Sequence, residues 1–289
     1  MPTLREILAS RPKDKVIAAP GVYDMISLRV AERVGFDALY MTGYGTVASH
    51  LGLPDAGLAS YADMVGRVEA MARAAKSPLI ADGDTGYGGL LNVRHTVRGY
   101  ERAGAAAIQL EDQEFPKKCG HTPDRRVIPA ADMVRKIGVA LESRSSEEFL
   151  VIARTDARTS QGLDEAIRRG RLYAEAGADL LFIESPENEA EMATIGRELG
   201  DRLLVANMVE GGRTPVLSSE RLADLGYALA IYPVAGLLAA TAAVNAVYAQ
   251  IRNTGSSLGA SVPLYSFAEM NLLMGFDEVW RFNQAHAET

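Results

Sequence analysis

Six carboxylates fall where short apolar runs end: Asp82 and Asp84 after Leu-Ile-Ala, Glu111 and Asp112 after Ile-Gln-Leu, Asp156 after Ala-Arg-Thr, and Glu184 after Leu-Phe-Ile. Brought to one rim, they repel one another unless positive charge separates them. Arg154 supplies one such charge. A hard divalent cation that binds oxygen and keeps some of its waters supplies the rest, and Mg²⁺ suits that role, with Mn²⁺ as a substitute. No His and Cys cluster has zinc spacing. A calcium loop is also excluded, because Asp82-Gly83-Asp84-Thr85-Gly86 imitates its start but Val93 stands where the bidentate Glu belongs. One Asp at a strand end is commonly a helix cap. Several at consecutive ends point to a metal or to catalysis.

The second reactive feature is Lys117-Lys118-Cys119-Gly120-His121. A lone Cys is usually a small buried hydrophobe. Between two Lys and a His in a polar loop, however, its thiolate is stabilised by positive charge, and the thiol can titrate. The neighbouring Gly lets the backbone approach a ligand. His50, His95 and His286 lack such company and read as structural or surface residues.

The elements that position these groups follow from a recurring phrase: an amphipathic stretch, a Gly, then a short apolar run. It occurs at Gly35, Gly104, Gly177 and Gly226. The Gly stops a helix in the left-handed conformation, and the run has the length of a strand buried on both faces. Four further runs bring the strands to eight, near Val16, Ala38, Leu79, Ala107, Leu150, Leu180, Leu203 and Ala228. Helical patterns separate them, among them 25–34, 61–74, 91–103, 130–142, 164–176, 189–199 and 218–225. Strict alternation predicts parallel strands, and eight units suit a closed (β/α)8 TIM barrel. Catalytic residues then belong at the strand ends.

The chain is read as one barrel domain over 1–289, of which 255–289 is a C-terminal helical extension. The tail from Ser261 carries too many apolar side chains to be free. It folds back on its own barrel or packs on a neighbouring subunit. The connection 111–128 is long for this architecture, and such loops serve as lids or binding loops.

Composition narrows the partners. With 289 residues, 48% hydrophobic, the chain buries a large core. A formal charge of −7 with no basic tract argues against nucleic acid. One Cys forbids an intrachain disulfide, and no apolar run reaches membrane-spanning length, so a soluble cytoplasmic protein is expected.

These residues together resemble the isocitrate lyase/phosphoenolpyruvate mutase superfamily over nearly the whole chain. The matching segments include 20–24, Thr42-Gly43-Tyr44-Gly45, Leu53-Pro54-Asp55, 82–88, Glu111-Asp112-Gln113, 117–121, 153–157 and Asn207. The resemblance implies Mg²⁺ at Asp82, Asp84 and Glu111, some through water. It also implies a 2-oxo or 2-hydroxy acid held by Thr42, Gly43, Tyr44, Asp55, Arg154, Asn207 and Pro233. The Lys-Lys-Cys-Gly-His loop marks the branch that cleaves carbon–carbon bonds, with Cys119 as the expected proton donor. Lys118, His121, Glu184 and Asn207 would bind or polarise the enolate. Tyr40, Glu184 and a metal-bound hydroxide remain alternative bases.

One departure bears on the substrate. Relatives that cleave tricarboxylic acids carry an Arg just beyond the eighth strand, where Leu238 stands here. An apolar wall favours alkyl groups over a carboxylate. The resemblance therefore implies retro-Claisen cleavage of a 2-alkylmalate, such as 2,3-dimethylmalate, to pyruvate or a related 2-oxo acid plus a monocarboxylate. Alternatives are phosphonate chemistry of the mutase type, methylisocitrate lyase activity or oxaloacetate decarboxylation. A binding protein without catalysis is disfavoured by the intact acidic set. The resemblance further implies a homotetramer, a dimer of dimers whose paired subunits exchange the eighth helix and the tail.

Overall fold

In a computed structural model, which describes residues 2–120 and 124–287, the eight expected strands close into one parallel barrel in sequence order. They are β1 (Ile17–Val22), β2 (Leu39–Met41), β3 (Leu79–Asp82), β4 (Ala107–Glu111), β5 (Leu150–Thr155), β6 (Leu180–Ile183), β7 (Leu203–Asn207) and β8 (Tyr227–Tyr232). Closure runs through β8, whose Leu229 and Ala230 pair with Ile17 and Ala18.

Helices follow the strands: α2 (Met25–Val34), α3 (Gly43–Leu51), α4 (Tyr61–Ala74), α5 (Leu90–Arg102), α6 (Ala130–Ser143), α7 (Ala157–Gln161), α8 (Leu163–Glu175), α9 (Glu189–Leu199), α10 (Ser219–Asp224) and α11 (Ala235–Thr254). An opening helix, α1 (Leu4–Ser10), precedes them, and α12 (Phe267–Leu273) and α13 (Phe276–Ala285) end the chain. Gly35, Gly104, Gly177 and Gly226 all have left-handed φ between 88° and 97°, as the recurring phrase requires.

Three helices lie outside the repeat anticipated from the sequence. The first, α1, has a reciprocal cap between Thr3 and Glu6, and its Leu4 and Leu8 join the cluster that fills the barrel interior, closing its lower end. The others, α3 and α7, start directly at the ends of β2 and β5 and so bring helix N-termini to the upper rim.

Alternation along the strands decides which polar residues face inward. Ala107 and the inward Leu150, Ile152, Leu180 and Phe182 pack inside the barrel, whereas Ile108, Leu110, Val151 and Ala153 pack against the helices. The long connection after β4 is pinned at its base by an antiparallel bridge between Gln113 and Val127. The tail folds back onto α2, with the Arg33 guanidinium 5.9 Å from the Tyr265 ring. Its Phe267 remains 81% exposed, however, and none of α11, α12 or α13 has a buried residue. No helix among the described residues is long and apolar enough to cross a membrane.

Candidate active site

A cavity of about 280 Å³ opens at the strand ends. Tyr40, Thr42, Tyr44, Asp55, Asp82, Glu111, Arg154 and Asn207 line it, and Lys117, Lys118, Cys119 and Gly120 reach it from the long connection after β4. The rest of its lining is the apolar set Val209, Ile231, Pro233, Val234 and Leu238, together with the segment Glu210-Gly211-Gly212.

Arg154 is the central cation. Its Nε and Nη2 donate to Asp156 at 2.8 and 3.0 Å, and Glu111 and Glu184 each come within 3.3 Å. Its guanidinium carbon lies 5.0 Å from the Phe182 ring centroid beneath it. Burial alone would lower its pKa, but the three carboxylates raise it well above the ordinary value. The same pairing holds Asp156 below the usual carboxylate range against its burial.

The acidic side is short of positive charge. Burial pushes Glu111 well above the usual range despite Arg154. Asp84 is pushed up to about 7, by burial first and by Asp82 and Asp55, with Lys117 opposing. Lys117 Nζ stands 2.6 Å from Asp84 Oδ1 and pairs also with Asp55. The Asp84 contact is an ion pair without hydrogen-bond alignment, since Asp84 Oδ1 has no hydrogen-bond partner of good geometry. Burial lowers the Lys117 pKa, but its carboxylate neighbours outweigh it and leave the ammonium well above its ordinary value.

Among the described residues no three His, Cys, Asp or Glu side chains converge into a direct ligand set. Glu111 Oε1 is nevertheless buried with no hydrogen-bond partner, beside Asp82. An all-oxygen donor set with an orphaned carboxylate oxygen fits a hard cation that keeps several waters between itself and the protein.

Local structure explains the close packing of this corner. Thr42 caps α3, which turns its N-terminus to the cavity. A Cβ on Gly43 would lie 2.6 Å from Asp82 Oδ2, so only glycine lets that carboxylate approach the helix start. Asp84 and Ser185 hold φ of 49° and 61°, a strained conformation that clusters at functional sites.

The expected residues differ in where they stand. Tyr40, Thr42, Tyr44, Asp55, Asp82, Glu111, Cys119, Arg154, Asn207 and Pro233 share the cavity. Asp84, Gly43 and Glu184 stand immediately behind that surface; Glu184 accepts from Asn207 Nδ2 at 3.0 Å. Lys118 is exposed at the mouth, its ammonium on the Asp124 carbonyl at 3.2 Å, and the buried ammonium is Lys117. His121 lies outside the described residues. Asp112 departs from the expected rim. It points away from the cavity and accepts from Thr155, Arg169 and Tyr173, binding β4 to α8. Tyr40 donates to Gln109 Oε1 at 3.3 Å, and burial together with Asp82 raises its pKa well above the ordinary value, so it is a phenol here.

A (β/α)8 barrel whose rim gathers carboxylates, a buried arginine and a loop-borne thiol has the form of an enzyme active site. Residues 4–252 match the phosphoenolpyruvate phosphomutase family. The chain belongs to the phosphoenolpyruvate mutase/isocitrate lyase superfamily, as its sequence suggested. It is 48% identical over 276 residues to the 2,3-dimethylmalate lyase of Eubacterium barkeri, covering 96% of this chain and 94% of that protein. The structure of an oxaloacetate acetylhydrolase in complex with 3,3-difluorooxalacetate superposes with a TM-score of 0.92 at 34% identity, covering 99% and 97% of the two chains. A phosphonopyruvate hydrolase in complex with oxalate and Mg²⁺ superposes with a TM-score of 0.85 at 32% identity, covering 98% and 97%.

Proposed function

We propose that the protein is a Mg²⁺-dependent lyase that cleaves a 2-alkylmalate, of the 2,3-dimethylmalate type, to pyruvate or a related 2-oxo acid and a monocarboxylate. The observation that carries this reading is the contrast within one cavity between a charged half around Arg154 and Glu111 and an apolar wall of Ile231, Pro233, Val234 and Leu238, with Glu210 an anion rather than a cation among the remaining lining residues. The charged half suits the 2-hydroxy acid end of the substrate. The apolar half suits alkyl substituents and repays no desolvation of a third carboxylate. Similarity to the dimethylmalate lyase supports the same choice.

In this reading Arg154 and the α3 N-terminus at Thr42, Gly43 and Tyr44 bind the C1 carboxylate. Asp82, Asp84 and Glu111 would hold the cation, directly or through water, and when bound it would supply polarisation of the C2 oxygen, easing loss of the hydroxyl proton and holding the emerging 2-oxo acid. A base takes the hydroxyl proton, the C2–C3 bond breaks, and its electron pair passes to the second carboxylate as an enolate. Asn207, oriented by Glu184, together with Lys118 and His121, would bind or polarise that enolate. The Cys119 thiol then protonates C3, completing the monocarboxylate. Tyr40 serves as base only where further positive charge offsets the burial that keeps it a phenol, and Glu184 stands as the alternative.

We also propose a cytoplasmic homotetramer built on one barrel domain, 1–289, with 255–289 as its helical extension. A thiol acid requires a reducing compartment. The apolar, unburied α11, α12 and α13 support exchange of the eighth helix between paired subunits. Light scattering is expected to give four copies, and a stable monomer at micromolar concentration contradicts the assembly.

The test of function is release of pyruvate or the corresponding 2-oxo acid from 2,3-dimethylmalate, other 2-alkylmalates, methylisocitrate, oxaloacetate and phosphonopyruvate, with and without Mg²⁺. The alkylmalates are expected to give the highest kcat/KM. Preference for methylisocitrate or phosphonopyruvate overturns the reading.

A further inference from the structure

Behind Arg154 lies a second guanidinium that the proposed chemistry leaves without a task. Arg125 follows the Cys119 loop in sequence, and its side chain is completely buried. Its Nη1 pairs with Asp156 Oδ1, and its Nη2 reaches Thr159 Oγ1 at 2.5 Å and Ser185 Oγ at 3.3 Å. Asp156 Oδ1 also accepts from Arg154 Nη2. One carboxylate therefore bridges two guanidinium groups, of which only Arg154 faces the cavity.

The bridge changes what Arg154 can do. Asp156, Glu111 and Glu184 all lie within ion-pair distance of it. Were Arg154 the sole cation for three buried carboxylates, Asp156, with two aligned hydrogen bonds, would draw the guanidinium back from the cavity. Arg125 takes up part of the Asp156 charge from the far side. Its contacts run also to the loop, because Ser185 Oγ donates to the Gly120 carbonyl at 3.0 Å, with Glu184 Oε1 as its other acceptor at 3.1 Å. Gly120 is packed tightly there: a Cβ on it would stand 2.4 Å from Arg154 Nη2.

We infer that Arg125 is a positioning residue, which through Asp156 and Ser185 sets both the Arg154 guanidinium and the Gly120 side of the Cys119 loop for a dianionic ligand. The inference rests on the proposed function and names a residue that tunes its carboxylate-binding half. A lysine at this position would keep the charge, but its single ammonium cannot span Asp156, Thr159 and Ser185 as the planar fork does.

The test uses the full chain with Mg²⁺ and oxalate as the probe dianion, by calorimetric titration, beside steady-state kinetics on whichever acid the native protein cleaves. Arg125→Gln is expected to weaken oxalate binding at least tenfold and to raise KM in parallel, with kcat less affected, and Arg125→Lys to recover part of the affinity. Iodoacetamide should label Cys119 faster in Arg125→Gln and in Ser185→Ala than in the native protein. A role in folding alone would lower the melting temperature while leaving oxalate affinity and KM within twofold of native, and that result overturns the inference. If Arg125→Gln does not fold, Ser185→Ala decides, and unchanged Cys119 labelling refutes the link. Native protein that binds oxalate but cleaves no alkylmalate defeats the proposed function alone, whereas failure of the native protein to bind oxalate defeats both.

Discussion

Lys117 Nζ lies 2.6 Å from Asp84 Oδ1, with both side chains more than nine-tenths buried. The pair joins the loop that carries Cys119 to the strand end that carries the acidic rim. Asp55 reinforces it, since its carboxylate also pairs with Lys117 and its carbonyl accepts from the Cys119 amide at 3.2 Å. Replacing Lys117 with Met strands two buried carboxylates. The expected cost is about 3–5 kcal/mol of stability, read as a lower urea midpoint, with Cys119 more quickly alkylated. A midpoint unchanged from native would mean that the pair contributes nothing to the loop's position.

The same pair makes stability depend on pH. Burial holds the Asp84 carboxyl near 7, whereas the ordinary value is 3.8. Between those two values the native state binds the proton and the unfolded state has released it. Stability in the absence of metal therefore falls as pH rises from about 4 to 7. The melting temperature is expected to be higher at pH 5 than at pH 7.5, and Asp84→Asn should flatten the slope. Added Mg²⁺ should raise the melting temperature more at pH 7.5, where the carboxylate is ionised, than at pH 5. Equal stabilisation at both values would count against Asp84 as a cation ligand.

Much of this site was legible in the sequence, for a physical reason. A parallel barrel buries its strands on both faces, so short apolar runs end abruptly at the rim, and Asp82, Arg154 and Asn207 announce themselves as the first polar residues of their runs and Glu111 as the first charge of its own. Asp112 was misplaced because adjacent residues of a strand point to opposite faces, and with Glu111 facing inward its neighbour has to face α8. That signal was present. Lys117 was harder, since in Lys117-Lys118 nothing local says which ammonium is buried; the choice depends on Asp55 and Asp84, distant in sequence. Helix α3 was hidden by the two glycines in its first turn, although Thr42 was available as its cap.

Gly43 is a sharp steric test. An added Cβ meets Asp82 Oδ2 at 2.6 Å, and backbone on one side and barrel on the other leave the carboxylate as the part that yields. Gly43→Ala is expected to cost about 1–3 kcal/mol as local overpacking and to raise the Mg²⁺ concentration needed for half-maximal activity at least tenfold. Unaltered Mg²⁺ dependence would remove Asp82 from the cation site.

Cys119 should separate chemistry from binding. Serine preserves shape and the hydrogen-bonding backbone but is a far weaker acid, so Cys119→Ser is expected to keep its melting temperature and its affinity for oxalate while kcat falls about 10²-fold or more. Near-native turnover would assign the C3 proton to another group.

Leu238 sits on the first turn of α11, lines the cavity and is 47% exposed, so a longer side chain has room there without repacking the barrel. Leu238→Arg places a guanidinium against the half of the cavity that now meets alkyl groups. A cation at that point stabilises a third carboxylate and offers a methyl group nothing in return for the water it displaces. The variant is expected to lose at least tenfold in kcat/KM for 2,3-dimethylmalate and to gain on methylisocitrate. Both ratios come from one set of initial rates on the two acids. If both substrates decline together, the arginine has only damaged the site, and selectivity for alkyl groups has to be sought in Val209, Ile231 or Pro233 instead.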